Sequence, residues 1–157
     1  MQITKTNAMR MLDAKGIGYE IHTYDNEDGA IHGTAVAEKI GRPPETVFKT
    51  LVSHSGANLY VFVIPVAEEL DLKKAARAAG EKKIEMLPLK DLLKWTGYVR
   101  GGCSPVGMKK LYPTYIEQSA EELESIAVSG GKIGMQIELA PDELAGMVNA
   151  KYGDLIK

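Results

Sequence analysis

The sequence predicts an α+β domain, a mixed β-sheet flanked by helices, and three observations predict it. The segments TVFKTLVSH (46–54) and NLYVFVIPV (58–66) are rich in β-branched and aromatic residues and flank Ser55-Gly56-Ala57, so they read as a hairpin. Other strand-like segments are separated by stretches with helical periodicity, and this combination argues for a mixed sheet over a strictly parallel one. The chain has 157 residues, 45% of them hydrophobic, which is enough for one well-buried core and too little for two ordinary domains, so residues 1–157 are read as a single domain.

Each element has a local reason. Thr4 or Thr6 is placed to cap a first helix whose apolar positions Ala8, Met11 and Leu12 recur at helical spacing, with Gly16 to end it. YEIHTY (19–24) alternates as a strand does, and Thr34 to Ile40 reads as a short helix closed by Gly41. After the hairpin, Asp71 caps a helix through Leu72, Ala75, Ala76 and Ala79 that Gly80 stops. KKIEML (82–87) is expected as a strand, and Pro88 as the first turn of a helix ending at Gly97. TYIEQS (114–119) is a further strand, and Ser119 with Glu122 has the spacing of a capping box. IAVS (126–129) and IGMQIEL (133–139) are strands joined across Gly130-Gly131-Lys132, and Pro141 opens a last helix through Leu144 and Val148.

Composition excludes several classes. A formal net charge of -2 gives no overall field toward a polyanion, so any nucleic acid must be met by a local patch. One cysteine makes no internal disulfide, and MQITKTNAMRML lacks the apolar run of a signal peptide, so a cytoplasmic location is expected. The apolar runs fall short of the ~18–20 residues of a membrane span, and no membrane partner is expected. His22, His32 and His54 lack any metal-ligand spacing, and no P-loop, dinucleotide fingerprint or G-x-S-x-G elbow is present. No metal and no cofactor is called for.

Three features carry candidate chemistry. Strand alternation puts Lys49 on one face with Val47 and Leu51, an expensive place for a charge. Either its stem snorkels to solvent at an edge, or the cation is held in a cleft to meet a phosphate or a carbonyl oxygen that gains charge. Gly101-Gly102-Cys103-Ser104-Pro105 and Ser129-Gly130-Gly131-Lys132 are either tight turns or loops whose backbone approaches a ligand. Cys103 lacks a linked histidine base and reads as a small filler more readily than as a nucleophile. Tyr98, Arg100, Lys109 and Lys110 beside the glycine segment offer an aromatic and basic surface for a single-stranded end.

These residues, in order, carry a resemblance. Lys5-Thr6-Asn7-Ala8, His22-Thr23-Tyr24, Phe48-Lys49-Thr50-Leu51, Pro65-Val66-Ala67, Leu70 to Lys74, Thr96-Gly97-Tyr98, Gly101-Gly102, Ser104-Pro105, Gly107, Lys109-Lys110 and Val128 to Lys132 together resemble the YbaK/EbsC family. Its members are free-standing relatives of the prolyl-tRNA synthetase editing domain, and the likeness is to its Cys-tRNA(Pro) deacylases. It covers nearly the whole chain and implies an α+β fold with a mixed, barrel-like sheet flanked by helices.

The resemblance implies a trans-editing hydrolase that cleaves the ester between mischarged cysteine and the 3′-terminal adenosine of tRNA(Pro), and of tRNA(Cys) also, in complex with prolyl-tRNA synthetase. It places Lys49 as the catalytic residue, with Tyr24, His32, Thr50, Gly101, Gly102, Ser129 and Gln136 lining the substrate pocket. With no overall positive field, the phosphate contacts to such a tRNA are expected from local lysines, Lys73, Lys74, Lys109 and Lys110. It also implies that the substrate's own thiol attacks its carbonyl, so that no protein nucleophile is needed. His32 stands where an aromatic is frequent and Gln136 where an acid is sometimes found, so the choice between cysteine and alanine stays open. The alternative class is a non-catalytic tRNA- or synthetase-binding module of the same fold.

Overall fold

The computed structural model describes residues 4–157. Thr6 is the cap of the first helix: its Oγ1 accepts from the Met9 N–H at 3.2 Å, and α1 (Asn7–Ala14) buries Ala8, Met9 and Leu12. The same hydroxyl donates to the Gly130 carbonyl at 2.6 Å, which ties the start of α1 to a distant glycine loop. The strand β1 (Glu20–Thr23) and the helix α2 (Gly33–Lys39) follow. The hairpin forms as the sequence predicts, with β2 (Phe48–Ser55) paired to β3 (Asn58–Pro65) around Gly56-Ala57. Asp71 caps α3 (Leu72–Ala79) by accepting from the N–H groups of Lys73 and Lys74, and Gly80 ends it in the left-handed conformation.

The expected strand over 82–87 shrinks to β4 (Glu85–Met86), whose two residues pair with His54 and Ser53 of β2, and the Leu87 N–H adds one bond to the Val52 carbonyl. The helix expected from Pro88 opens as a 3-10 turn over Leu89–Asp91 and becomes α4 only over Leu92–Thr96, with Gly97 ending it. Then come β5 (Thr114–Glu117), β6 (Ile126–Ser129), β7 (Met135–Leu139), α5 (Pro141–Val148) and β8 (Lys151–Gly153). The capping box at Ser119 is not made: the 3-10 turn over Gln118–Glu122 is capped by Glu117, whose carboxylate accepts from the Ser119 N–H at 2.8 Å. Glu117 thus takes the Ser119 N–H that the Glu122 carboxylate would accept from in a capping box.

The strands form two sheets. The larger has the order β4-β2-β3-β5-β8, antiparallel through the hairpin and parallel from β3 to β8, and the smaller is the antiparallel β1-β7-β6. The sheet is mixed, as the hairpin and the separated strands predict. A single parallel bridge, Val47 to Ala127, joins the two sheets, and no closed barrel is formed among the described residues. Phe48, Val52, Val63 and Ile116 of the larger sheet pack with Val128 and Ile137 of the smaller one in the main core. On the opposite face of the larger sheet Phe62 and Ile64 bury against Ala75 and Ala76 of α3. The helix α2 closes the seam, with Ala37 against Val47, Val66 and Ala127.

Candidate functional site

At that seam the chain leaves a cavity of about 700 Å³. Its walls come from the start of α2 with the loop before it, from Phe48 to Leu51 of β2, from Arg100, Gly101 and Cys103, and from Ser129 and Gln136 of the smaller sheet. The helix seats closely because residue 33 is glycine: a Cβ there would stand 2.5 Å from the Val66 Cβ. Lys39, in the last turn of α2, donates to Asp28 Oδ1 and to the carbonyls of Asp25 and Ala30, which pins the loop roofing the cavity.

Lys49 lies opposite Ile64 in the hairpin register, half-buried, and its Nζ donates to the Val66 carbonyl at a long 3.3 Å. Among the described residues no carboxylate reaches ion-pair distance of it. Burial pushes its pKa below the ordinary lysine value, with a smaller opposing pull from Glu69 and Glu68. An ammonium with three donors and one weak contact is suited to an acceptor brought from outside.

Three other cavity residues hold polar atoms in the same condition. Tyr24 Oη, Thr50 Oγ1 and Gln136 Oε1 are buried with no hydrogen-bond partner, and among the described residues Ser119 Oγ is the one other such atom. Each unpaired buried polar group costs about 1–3 kcal/mol, so three around one cavity point to a polar guest that pairs with them. Ser129 and Gln136 are cross-strand neighbours, and Gln136 is next to His22 on its other side. The Ser129 hydroxyl accepts from the Gly131 N–H at 3.2 Å. His32 stands exposed at the rim as the N-cap residue just before α2, without a side-chain cap bond.

The paired glycines divide. Gly101 is left-handed (φ +86°) and faces the cavity beside Ile31. Gly102 is outside the lining: its N–H donates to the Val99 carbonyl at 3.0 Å, and a Cβ there would lie 3.0 Å from the backbone nitrogen of Ile133. It lets the segment around 97–107 pack on the β6–β7 loop, so of the two glycines expected at the pocket Gly101 is the one on this cavity's wall. Tyr98 is half-buried and donates to the Val106 carbonyl at 2.6 Å, so it braces this segment from within and is no exposed stacking surface. Cys103 is 7% exposed, and burial pushes its thiol up to about 12, so it stays protonated at neutral pH.

The four lysines expected to meet tRNA lie on two different segments. Lys73 and Lys74 lie on α3, where Lys74 Nζ donates to Asp154 and to the Ile156 carbonyl, while Lys109 and Lys110 are exposed beyond the glycine segment. No spacing in the sequence marked a metal set, yet β1 and β7 bring ligand atoms of Glu20, His22 and Glu138 within 4.8 Å of one another. Glu138 is already engaged there, by Ser125 Oγ at 2.6 Å, His22 at 2.8 Å and Arg42 at 2.8 Å. The Ser125 hydrogen bond first, then His22 and Arg42, hold its carboxyl down to about 2. Sequence reasoning missed Ile31, Gly33 and Val66 as wall residues, since nothing in IHGT or PVA separates a cavity wall from an ordinary helix start or strand end.

The aminoacyl-tRNA editing domain family matches residues 32–147. The chain is 46% identical over 152 residues to an Enterococcus faecalis protein named "Putative Cys-tRNA(Pro)/Cys-tRNA(Cys) deacylase EbsC", covering 96% of this chain and 93% of that one. It superimposes with a TM-score of 0.85 and 22% identity on a solved structure described as "a putative trans-editing enzyme for prolyl tRNA synthetase", over 98% of this chain and 99% of that one. The second likeness is one of fold.

Proposed function

Since the chain belongs to the aminoacyl-tRNA editing domain family, we propose that it is a trans-acting deacylase that hydrolyses the ester of mischarged Cys-tRNA(Pro), and of Cys-tRNA(Cys). The observation that carries this reading is the cavity wall, where a desolvated ammonium and three unpaired polar atoms surround a space open to a polar guest. An aminoacyl ester is already activated, so holding it in a reactive pose and stabilising its oxyanion supply the needed rate.

Lys49 stabilises the negative charge that grows on the carbonyl oxygen, and the Gly101 backbone holds the ribose or carbonyl. Tyr24, Thr50, Ser129 and Gln136 orient the aminoacyl group. The substrate thiol forms a new C–S bond to its own carbonyl carbon as the ester C–O bond breaks, and its proton leaves with the 3′ oxygen. Water then opens the resulting cyclic thiolactone to free cysteine, which regains its thiol. A protonated, buried Cys103 fits the absence of a protein nucleophile. This route asks for no metal or cofactor and belongs in the cytoplasm, where aminoacyl-tRNA is made. The terminal adenosine is common to all tRNAs, so selection of tRNA(Pro) comes from a complex with prolyl-tRNA synthetase.

The test incubates the purified protein with labelled Cys-tRNA(Pro), Cys-tRNA(Cys) and Ala-tRNA(Pro), with and without the synthetase. Label should leave both cysteinyl substrates in the isolated protein and only tRNA(Pro) when the synthetase is present. Tight binding of all three without release would make the chain a binding module.

A further inference from the structure

The exposed large apolar side chains are concentrated in one stretch of the chain. Of the eight large hydrophobic side chains exposed among the described residues, six lie between positions 86 and 111: Met86, Leu89, Leu93, Trp95, Val99 and Leu111. The same stretch is basic. From Leu89 to Leu111 there are five cations, Lys90, Lys94, Arg100, Lys109 and Lys110, against one carboxylate, Asp91, in a chain whose net charge is -2.

The contacts bring the key members together. Lys94 Nζ lies 5.1 Å from the centre of the Trp95 ring, Lys109 Nζ donates to the Lys94 carbonyl at 3.2 Å, and Tyr112 donates to the Trp95 carbonyl at 2.7 Å. Arg100, five residues beyond Trp95, is at the cavity wall. Five residues span at most about 18 Å, so the aromatic platform lies within that reach of the cavity wall. A protein-binding patch is typically poor in lysine, whereas lysines around an open aromatic ring are what unpaired nucleotides use, by phosphate contact and base stacking.

We infer that the α4 surface around Trp95, Lys94 and Lys109 docks the unpaired nucleotides that precede the esterified terminal nucleoside of the substrate. This rests on the deacylase reading, which supplies the nucleic acid. It replaces Tyr98, held inside its own segment, by Trp95 as the stacking residue, and it assigns the polyanion contact to one local patch.

Trp95 is the sole tryptophan, so its emission reports the platform directly. The probe is a short unpaired RNA with the tRNA 3′-end sequence and no amino acid. Its addition should quench the emission, and with about three phosphates engaged the affinity should fall roughly 20-fold between about 50 and about 200 mM salt. In a second arm Trp95→Ala should raise KM for Cys-tRNA(Pro) about 5- to 150-fold, the range of one lost stacking contact, and leave hydrolysis of cysteinyl-adenosine unchanged. Trp95→Phe should restore most of the loss.

Emission that ignores the RNA overturns the inference, as does emission that shifts with protein concentration, since a second copy would then cover the patch. Equal loss on both substrates in Trp95→Ala would also overturn it, as a structural defect. A wild-type protein that shows the quenching but cleaves neither substrate supports the docking surface and sinks the deacylase. One that cleaves both without quenching does the reverse.

Discussion

Replacing Lys49 by methionine keeps a stem of similar length and removes only the ammonium. In the folded chain that ammonium is half-buried and has one 3.3 Å contact, to the Val66 carbonyl, so little native bonding is lost. Its lowered pKa means that the native state binds this proton less well than the unfolded chain does. Stability then rises with pH between the folded value and the ordinary 10.5, and the charge is a burden at neutral pH. Lys49→Met should therefore melt at or above the wild-type temperature and lose its rise in stability in that alkaline window. Turnover should fall about 10²- to 10³-fold, the scale of one removed oxyanion donor, or about 2.7–4 kcal/mol. Single-turnover release of cysteine from Cys-tRNA(Pro), read beside a thermal melt, checks both. Near-normal turnover would refute the role of Lys49, and loss of folding would show that its charge is structural.

Other positions separate site from scaffold. Gly102→Ala places a Cβ 3.0 Å from the Ile133 backbone nitrogen, so it should cost about 1–3 kcal/mol in denaturant unfolding, the scale of an overpacked core. Cys103→Ala should keep turnover, and the wild-type thiol should resist alkylation at neutral pH because burial holds it protonated. A loss near a hundredfold in that variant would restore the protein-nucleophile reading. Glu138 is held at about 2 against the usual 4.5, so its stabilisation is full above 4.5 and disappears as pH falls through about 2. Glu138→Gln should flatten the acid limb of the stability curve in that window, which pH-dependent melting would show.

The sequence displayed most of the fold because local signals were strong. Asp71 with Gly80 and the Gly56 turn each have one reading, which the chain adopts, and of the two caps open to α1, Thr4 and Thr6, it uses Thr6. The misses lie where partners decide. β4 exists only where β2 offers an edge, and β8 (Lys151–Gly153) went unread because KYG has no strand signature until β5 pairs with it. The candidate site was legible through Lys49, an ammonium in an apolar strand. The split between Gly101 and Gly102 was not, because it depends on Lys132 and Ile133 of a loop thirty residues away. Nor was Trp95, since exposure belongs to the packed chain and not to the string WTGY.

A crystal structure with a terminal adenosine that carries cysteine through an amide in place of the ester would test the proposed site most directly. The expected map has the cysteinyl carbonyl oxygen about 2.7–3.1 Å from Lys49 Nζ, and Tyr24, Thr50 and Gln136 with their unpaired atoms engaged by the ligand. A ligand bound away from this cavity, or one inside it that leaves those three atoms unpaired and Lys49 on the Val66 carbonyl, would contradict the assignment of the site.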